Sequence, residues 1–190
     1  MKKLFTCLGA LFCLAAPAFA DLKQCQSLYS AAPRQLGGLS LTDSNNYEKD
    51  RRGAGYALQF GEIGKSWATL FFYDQRRRKI REPHVIKEAT QAGTDVMRQR
   101  LLSFAQMEDG TKIDQERPVN IKETGDFPSV IQVEYEIFFE PQGALVTNDF
   151  LTVGVVNNCY VKLRFSSNGN RKSSIRKFDA IKQQMREAFQ

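Results

Sequence analysis

The sequence predicts an α+β fold, an antiparallel sheet flanked by helices, and three observations carry that prediction. Apolar residues alternate in neighbouring segments joined by turn residues: Tyr56, Leu58 and Phe60 run into Gly61–Gly64, and Cys159, Val161, Leu163 and Phe165 follow Asn157-Asn158. Two other segments switch to the helical period, with apolar residues three and four apart. The order is strands, helix, strands, helix, and the short connections between successive strands require antiparallel pairing. Composition agrees. With 42% hydrophobic and 25% charged residues in 190, wholesale disorder and a collagen-like fibre are excluded. The length suits one domain with a sizeable core.

The first segment reads as an address. Lys2 and Lys3 precede an apolar run from Leu4 to Ala16, and Ala18-Phe19-Ala20 places small residues at the positions a signal peptidase needs. The run is too short for a membrane anchor, and Asp21, Lys23 and Gln24 follow closely. The expectation is a signal peptide over residues 1–20 cleaved after Ala20, a single α+β domain over 21–190, no transmembrane anchor after cleavage, and a bacterial periplasmic or secreted destination. Lipidation at Cys7 or Cys13 is the alternative; Phe12 stands before Cys13 where a small residue is wanted.

Cleavage leaves Cys25 and Cys159. An even pair in an oxidising compartment reads as one disulfide, tying the N-terminus to a late strand. A redox or metal pair is the rival, and no C-x-x-C spacing supports it.

The elements follow in order. Leu22, Cys25 and Leu28 share one face of a short helix that Pro33 stops. Leu36, Leu39 and Leu41 around Gly37-Gly38 suggest a turn into a short strand, and Asp43 to Asn46 is turn chemistry. Beyond the Tyr56 strand, Trp67 to Tyr73 is apolar on both faces, which predicts a central strand covered on both sides. Ile86, Ala89, Gly93, Val96, Met97, Leu101 and Phe104 predict a helix over about 84–106, ended before Asp109-Gly110.

In the second half, Ile131, Val133, Tyr135, Ile137 and Phe139 alternate with Gln132, Glu134 and Glu136. Pro141-Gln142-Gly143 is a turn, Leu145 to Val156 a long strand, and the Cys159 strand completes a three-strand meander. Lys162 and Arg164 are candidates to face Glu134 or Glu136 across the sheet surface, with the middle strand expected to separate them. Ser166 to Asn170 is a loop. Ile175, Phe178, Ile181, Met185 and Phe189 define an amphipathic last helix, with Ser173 or Ser174 as its N-cap.

Gly55-Tyr56-Ala57-Leu58, the strand ending Phe72-Tyr73-Asp74, the meander from Val130 to Phe165 and the closing helix together resemble PsbP-like proteins. The stretch from Gly37-Gly38-Leu39 through Tyr47-Glu48 to Gly55-Tyr56 is also similar to a group of secreted bacterial proteins. The resemblance covers about residues 36–189. It implies an α/β/α sandwich and an auxiliary, non-catalytic habit. It carries no functional residue across.

Motifs for catalysis are thin. His84 is the one histidine, beside Pro83 at a helix start, so neither a His-based triad nor a zinc site is expected. Ser174-Ile175-Arg176-Lys177 matches S-x-x-K, and Ser44-Asn45-Asn46 an S-x-N string, but K-T-G is missing. Gly64-Lys65-Ser66-Trp67-Ala68 lacks the last glycine of a nucleophile elbow and opens a strand. Gly53-Ala54-Gly55 precedes a strand, unlike a phosphate cradle. Glu134 and Glu136 stand roughly 7 Å apart on one strand face, and Glu108 adjoins Asp109; a solvated surface accounts for both pairs. No catalytic residue, metal or cofactor is expected.

The segment with a partner in prospect is Asp74 to Glu82, which carries five positive and two negative charges. Arg76, Arg77, Arg78, Lys79 and Arg81 suit phosphate and carboxylate recognition, and Arg51 and Arg52 are expected nearby. With only Ile80 interrupting it, the run reads as a mobile, solvated, anion-contacting loop. The partners to expect are anionic lipid, lipopolysaccharide or an acidic envelope protein, and not nucleic acid. The sequence points to a non-enzymatic envelope binding or accessory module; an envelope-acting hydrolase or a structural subunit of an envelope assembly are the alternatives.

Overall fold

The structure, a computed structural model, describes residues 23–105, 116–123, 131–137 and 147–189, with side chains over 23–95 and 148–189. The expected signal peptide, Cys7, Cys13, Glu108 and Asp109 lie outside the described residues, as do the side chains of Glu134 and Glu136.

In chain order the elements are α1 (Lys23–Ala31), β1 (Gln35–Leu36), β2 (Leu39–Asn46), a 3-10 turn (Tyr47–Lys49), β3 (Tyr56–Glu62), β4 (Ser66–Tyr73), α2 (Glu82–Ala105), β5 (Glu116–Glu123), β6 (Ile131–Ile137), β7 (Thr147–Val156), β8 (Cys159–Asn168) and α3 (Arg171–Phe189). Six strands form one antiparallel sheet in the order β1-β2-β3-β4-β8-β7. The fold is α+β with helices on the sheet.

Alternation sends each strand's side chains to opposite faces. On one face Leu58, Phe60, Leu70, Phe72, Phe150, Leu163 and Phe165 pack against Leu28 of α1 and Phe178, Ile181 and Met185 of α3. Phe150 and Phe178 stack with ring centroids 4.7 Å apart. Burying each such side chain contributes roughly 1.5–3 kcal/mol. The Cys25–Cys159 disulfide, with Cα atoms 5.4 Å apart, joins α1 to the start of β8 within this core. On the other face Tyr73, Leu151, Val153 and Tyr160 pack against Val85, Ala89 and Ala92 of α2. The small helix residues let α2 lie close to the stacked Tyr73–Tyr160 pair, whose centroids are 5.1 Å apart.

Several boundaries differ from the sequence expectation. Asp43–Asn46 ends β2 rather than turning, with Asn45 opposite Ala57 and Asn46 opposite Tyr56; among the described residues no strand pairs with β2 past Ser40 on its other side, and such an edge tolerates polar residues on both faces, so its pattern is faint. Among the described residues β6 pairs with β5 in a two-stranded ladder and lies alongside β7. β5 was not expected: Pro118 interrupts it, and its register shifts between Pro118 and Ile121. β4 is central, between β3 and β8. Its cover is unequal, however: Ala68, Leu70 and Phe72 are fully buried, while Trp67, Thr69 and Phe71 are half-buried. β8 extends to Asn168, and the N-cap of α3 is Asn170, whose Oδ1 accepts the Ser173 N–H at 3.1 Å.

Candidate functional site

The start of β3, the end of β4 and the β7–β8 turn lie at one end of the sheet. There the chain leaves β4 through Asp74, which is buried and whose carboxylate accepts the Arg76 N–H at 2.8 Å. That bond holds Gln75 and Arg76 in left-handed conformations, with φ of 54° and 60°. The bend lays the loop against the segment before β3. Gln75 N–H donates to the Gly53 carbonyl at 3.1 Å, and Arg76 Nε donates to the Arg52 carbonyl at 2.9 Å. Gly53 has φ of 83°, and a Cβ there would sit 2.8 Å from the Arg76 nitrogen, so only glycine permits this approach. Arg51 and Arg52 therefore do lie beside the loop.

The far side of the loop is clamped from the β7–β8 turn. Asn158 Oδ1 accepts the Ile80 N–H at 2.7 Å, and its Nδ2 donates to the Arg78 carbonyl at 3.2 Å and the Arg77 carbonyl at 3.4 Å. Ile80 is buried against Tyr160 and the α2 face. The expectation of a mobile loop is corrected: the isoleucine that interrupts the charge run is its anchor, and the backbone is fixed at both ends.

These contacts commit the nearby carboxylates. Glu48 accepts the N–H groups of Gly53 at 3.0 Å and Gly55 at 2.6 Å. Glu88 accepts the Tyr73 hydroxyl and, at 2.6 Å, the Gln75 side-chain amide. The cations are left over. Among the described residues Arg51, Arg78, Lys79 and Arg81 are exposed and form no ion pair. Arg76 and Arg77 are partly engaged within the loop: Arg77 Nε reaches Gln75 Oε1 at 3.3 Å, and its charge counters the rise that burial imposes on the Tyr160 hydroxyl. The rim thus presents cations, while Glu48 and Asp74 hold backbone N–H groups and Glu88 holds side-chain donors.

Beside the rim, on the α2 side of the sheet, lies a cleft of about 460 Å³ lined among others by Tyr47, Arg51, Phe71, Tyr73, Glu88 and Lys162. Lys162 Nζ sits 4.9 Å from the Phe71 ring centroid, 5.1 Å from that of Tyr73 and 3.7 Å from Glu88 Oε1. Burial lowers the Lys162 ammonium below the ordinary lysine value, and Glu88 opposes that shift. Burial, reinforced by the Glu88 charge and hydrogen bond, pushes the Tyr73 phenol far above the ordinary tyrosine range.

The remaining sequence candidates resolve structurally. His84 Nδ1 accepts the Arg81 N–H at 3.1 Å, capping the start of α2. Ser174 is buried and donates to the Asn170 carbonyl at 3.3 Å. Lys177 reaches not Ser174 but Ser66, at 3.2 Å, and Ser66 pairs with Ser167 at 2.9 Å across β4 and β8. Ser66 lies in a regular ladder, with no strained turn to expose it as a nucleophile. Among the described residues no three His, Cys, Asp or Glu side chains are grouped to hold a metal, and no helix is long and apolar enough to cross a membrane.

Sequence reasoning missed Asn158, Glu88 and Lys162. Asn158 carried only a turn signal, and the other two are single charges on unrelated elements. Compared with protein-family models, curated proteins and solved structures, the chain finds no match.

Proposed function

We propose that the protein is a non-enzymatic binding or accessory module of the bacterial envelope, exported to the periplasm or secreted, that contacts anionic envelope material through the basic rim. The observation that carries this reading is the set of exposed, unpaired cations Arg51, Arg78, Lys79 and Arg81 on a backbone clamped by Asn158 and Asp74. A fixed backbone lowers the ordering cost of binding, and guanidinium groups suit phosphate and carboxylate oxygens. The buried disulfide is in keeping with an oxidising compartment. The PsbP-like resemblance adds the auxiliary habit.

Phosphate-bearing surfaces, anionic lipid or lipopolysaccharide, are the partners this chemistry favours; an acidic envelope protein is the alternative outcome. Flotation with phosphatidylglycerol vesicles tests the reading. The protein should float with them at low salt, and not with phosphatidylcholine vesicles. Binding should fall steeply toward about 0.5 M salt, where screening is shorter than roughly 5 Å. Salt-independent binding, or equal binding to neutral vesicles, contradicts an electrostatic rim.

A further inference from the structure

We infer that the cleft beside the rim, which shares Arg51 with it, is a site for a small anion with a flat apolar body, an arylcarboxylate or aryl phosphate in chemical class. Its volume of about 460 Å³ lies within the range of small-molecule sites. The walls supply both parts of such a ligand. Phe71, Tyr73 and Tyr47 line it with rings, and Arg51 and Lys162 line it with cations.

Lys162 is the distinguishing group. Its side chain is only 22% exposed; it forms a long ion pair with Glu88 Oε1 at 3.7 Å, beyond close hydrogen-bond distance, and the Asp95 charge also reaches it. Both Glu88 oxygens already accept from Tyr73 and Gln75. Among the described residues the ammonium therefore has two ring faces and one long ion pair, which leave part of its donor capacity over. A half-buried ammonium with three donors and a single long ion pair gains from a closer acceptor. An anionic head entering from the cleft completes it, and its body lies along the rings.

The acidic lining residues do not reverse this preference. Glu88 already accepts from Tyr73 and Gln75 and is ion-paired with Lys162, and Asp50 is exposed on the same loop as Arg51. A cationic ligand has no acceptor comparable to the donors that Lys162 and Arg51 offer an anion.

The test is a chemical-shift titration of the oxidised protein, expressed from the full sequence, with benzoate, phenyl phosphate and, as the matched cation, benzylamine. The two anions are expected to shift the amides of Phe71, Tyr73 and Lys162, and benzylamine to leave them unmoved. Lys162→Met should weaken anion binding about tenfold to a hundredfold, the range for losing a charge-assisted hydrogen bond. Arg51→Ser, at an exposed position, should weaken it several-fold with the fold intact. If Lys162→Met does not fold, Arg51→Ser decides, and unchanged affinity in it overturns the inference. So do equal binding of benzylamine, no response to either anion, or shifts confined to residues 76–81, which place the anions on the rim alone.

Discussion

Asn158 accepts the backbone N–H of Ile80 at 2.7 Å across 78 residues of sequence. The β7–β8 turn thereby sets the shape of the loop that leaves β4 at the same end of the sheet. Asn158 manages this because its own φ is 58°, a left-handed conformation that aims the side-chain amide at the loop. One residue thus serves as turn and clamp, and the basic rim depends on it.

Replacing Asn158 by glycine keeps the backbone conformation and removes the clamp. Asn158→Gly is expected to destabilise the protein by about 1–3 kcal/mol, the cost of leaving the Ile80 N–H and two carbonyls without a partner. Hydrogen exchange at the Ile80 amide should accelerate much more than exchange within β4. Unchanged protection at Ile80 contradicts the clamp.

How far these features were legible in the sequence follows from what local pattern encodes. Alternation in β3 and β8, the apolar run of β4, and the three- and four-residue steps of α3 mark core elements directly, because burial acts residue by residue. The Cys25–Cys159 pair was readable from compartment and count. β5 was hidden, since Pro118 and a register shift break its period. The ends of β2 were hidden because polar residues on an edge meet no packing demand. At the rim, the charges were visible but Ile80 was taken as an interruption. Only the tertiary pairing with Asn158 reveals it as an anchor. Lys162 and Glu88 meet because α2 packs over the face of the sheet that Lys162 shares, which no local spacing signals.

The disulfide should act mainly on the unfolded chain. Its two cysteines are 134 residues apart, and closing a loop of that length is expected to stabilise by about 5 kcal/mol in the chain-entropy model, less where strain or residual structure intervenes. Cys25→Ser with Cys159→Ser should therefore lower the urea midpoint substantially while the sheet persists. Both sulfurs belong to buried residues, 3% and 0% exposed, so reductant without denaturant should cleave the bond slowly. Rapid reduction under native conditions contradicts this burial.

Two buried groups give stability opposite slopes in alkali. The folded state holds Lys162 below its ordinary value of 10.5, so in the interval between them the unfolded chain binds more protons and stability rises with pH. Tyr73 is raised from 10.0, so above that pH the unfolded chain has lost a proton the folded chain keeps, and stability falls. Lys162→Met should flatten the rise, and Tyr73→Phe should remove part of the fall. Tyr56 and Tyr160, also raised by burial, leave the rest. Urea midpoints across the alkaline range check both signs; parallel profiles for wild type and Lys162→Met contradict the assignment.

The most direct measurement of the basic rim is anionic-surface affinity in a variant that removes only its unpaired cations, Arg51, Arg78, Lys79 and Arg81 together changed to Ser. Each basic residue near an anionic membrane contributes about 1 kcal/mol, so binding to phosphatidylglycerol vesicles and to lipopolysaccharide at low salt should fall by roughly two to three orders of magnitude. The melting temperature should stay nearly unchanged, since exposed charges without partners contribute little to stability. Wild-type affinity retained in that folded variant contradicts the rim as the contact surface.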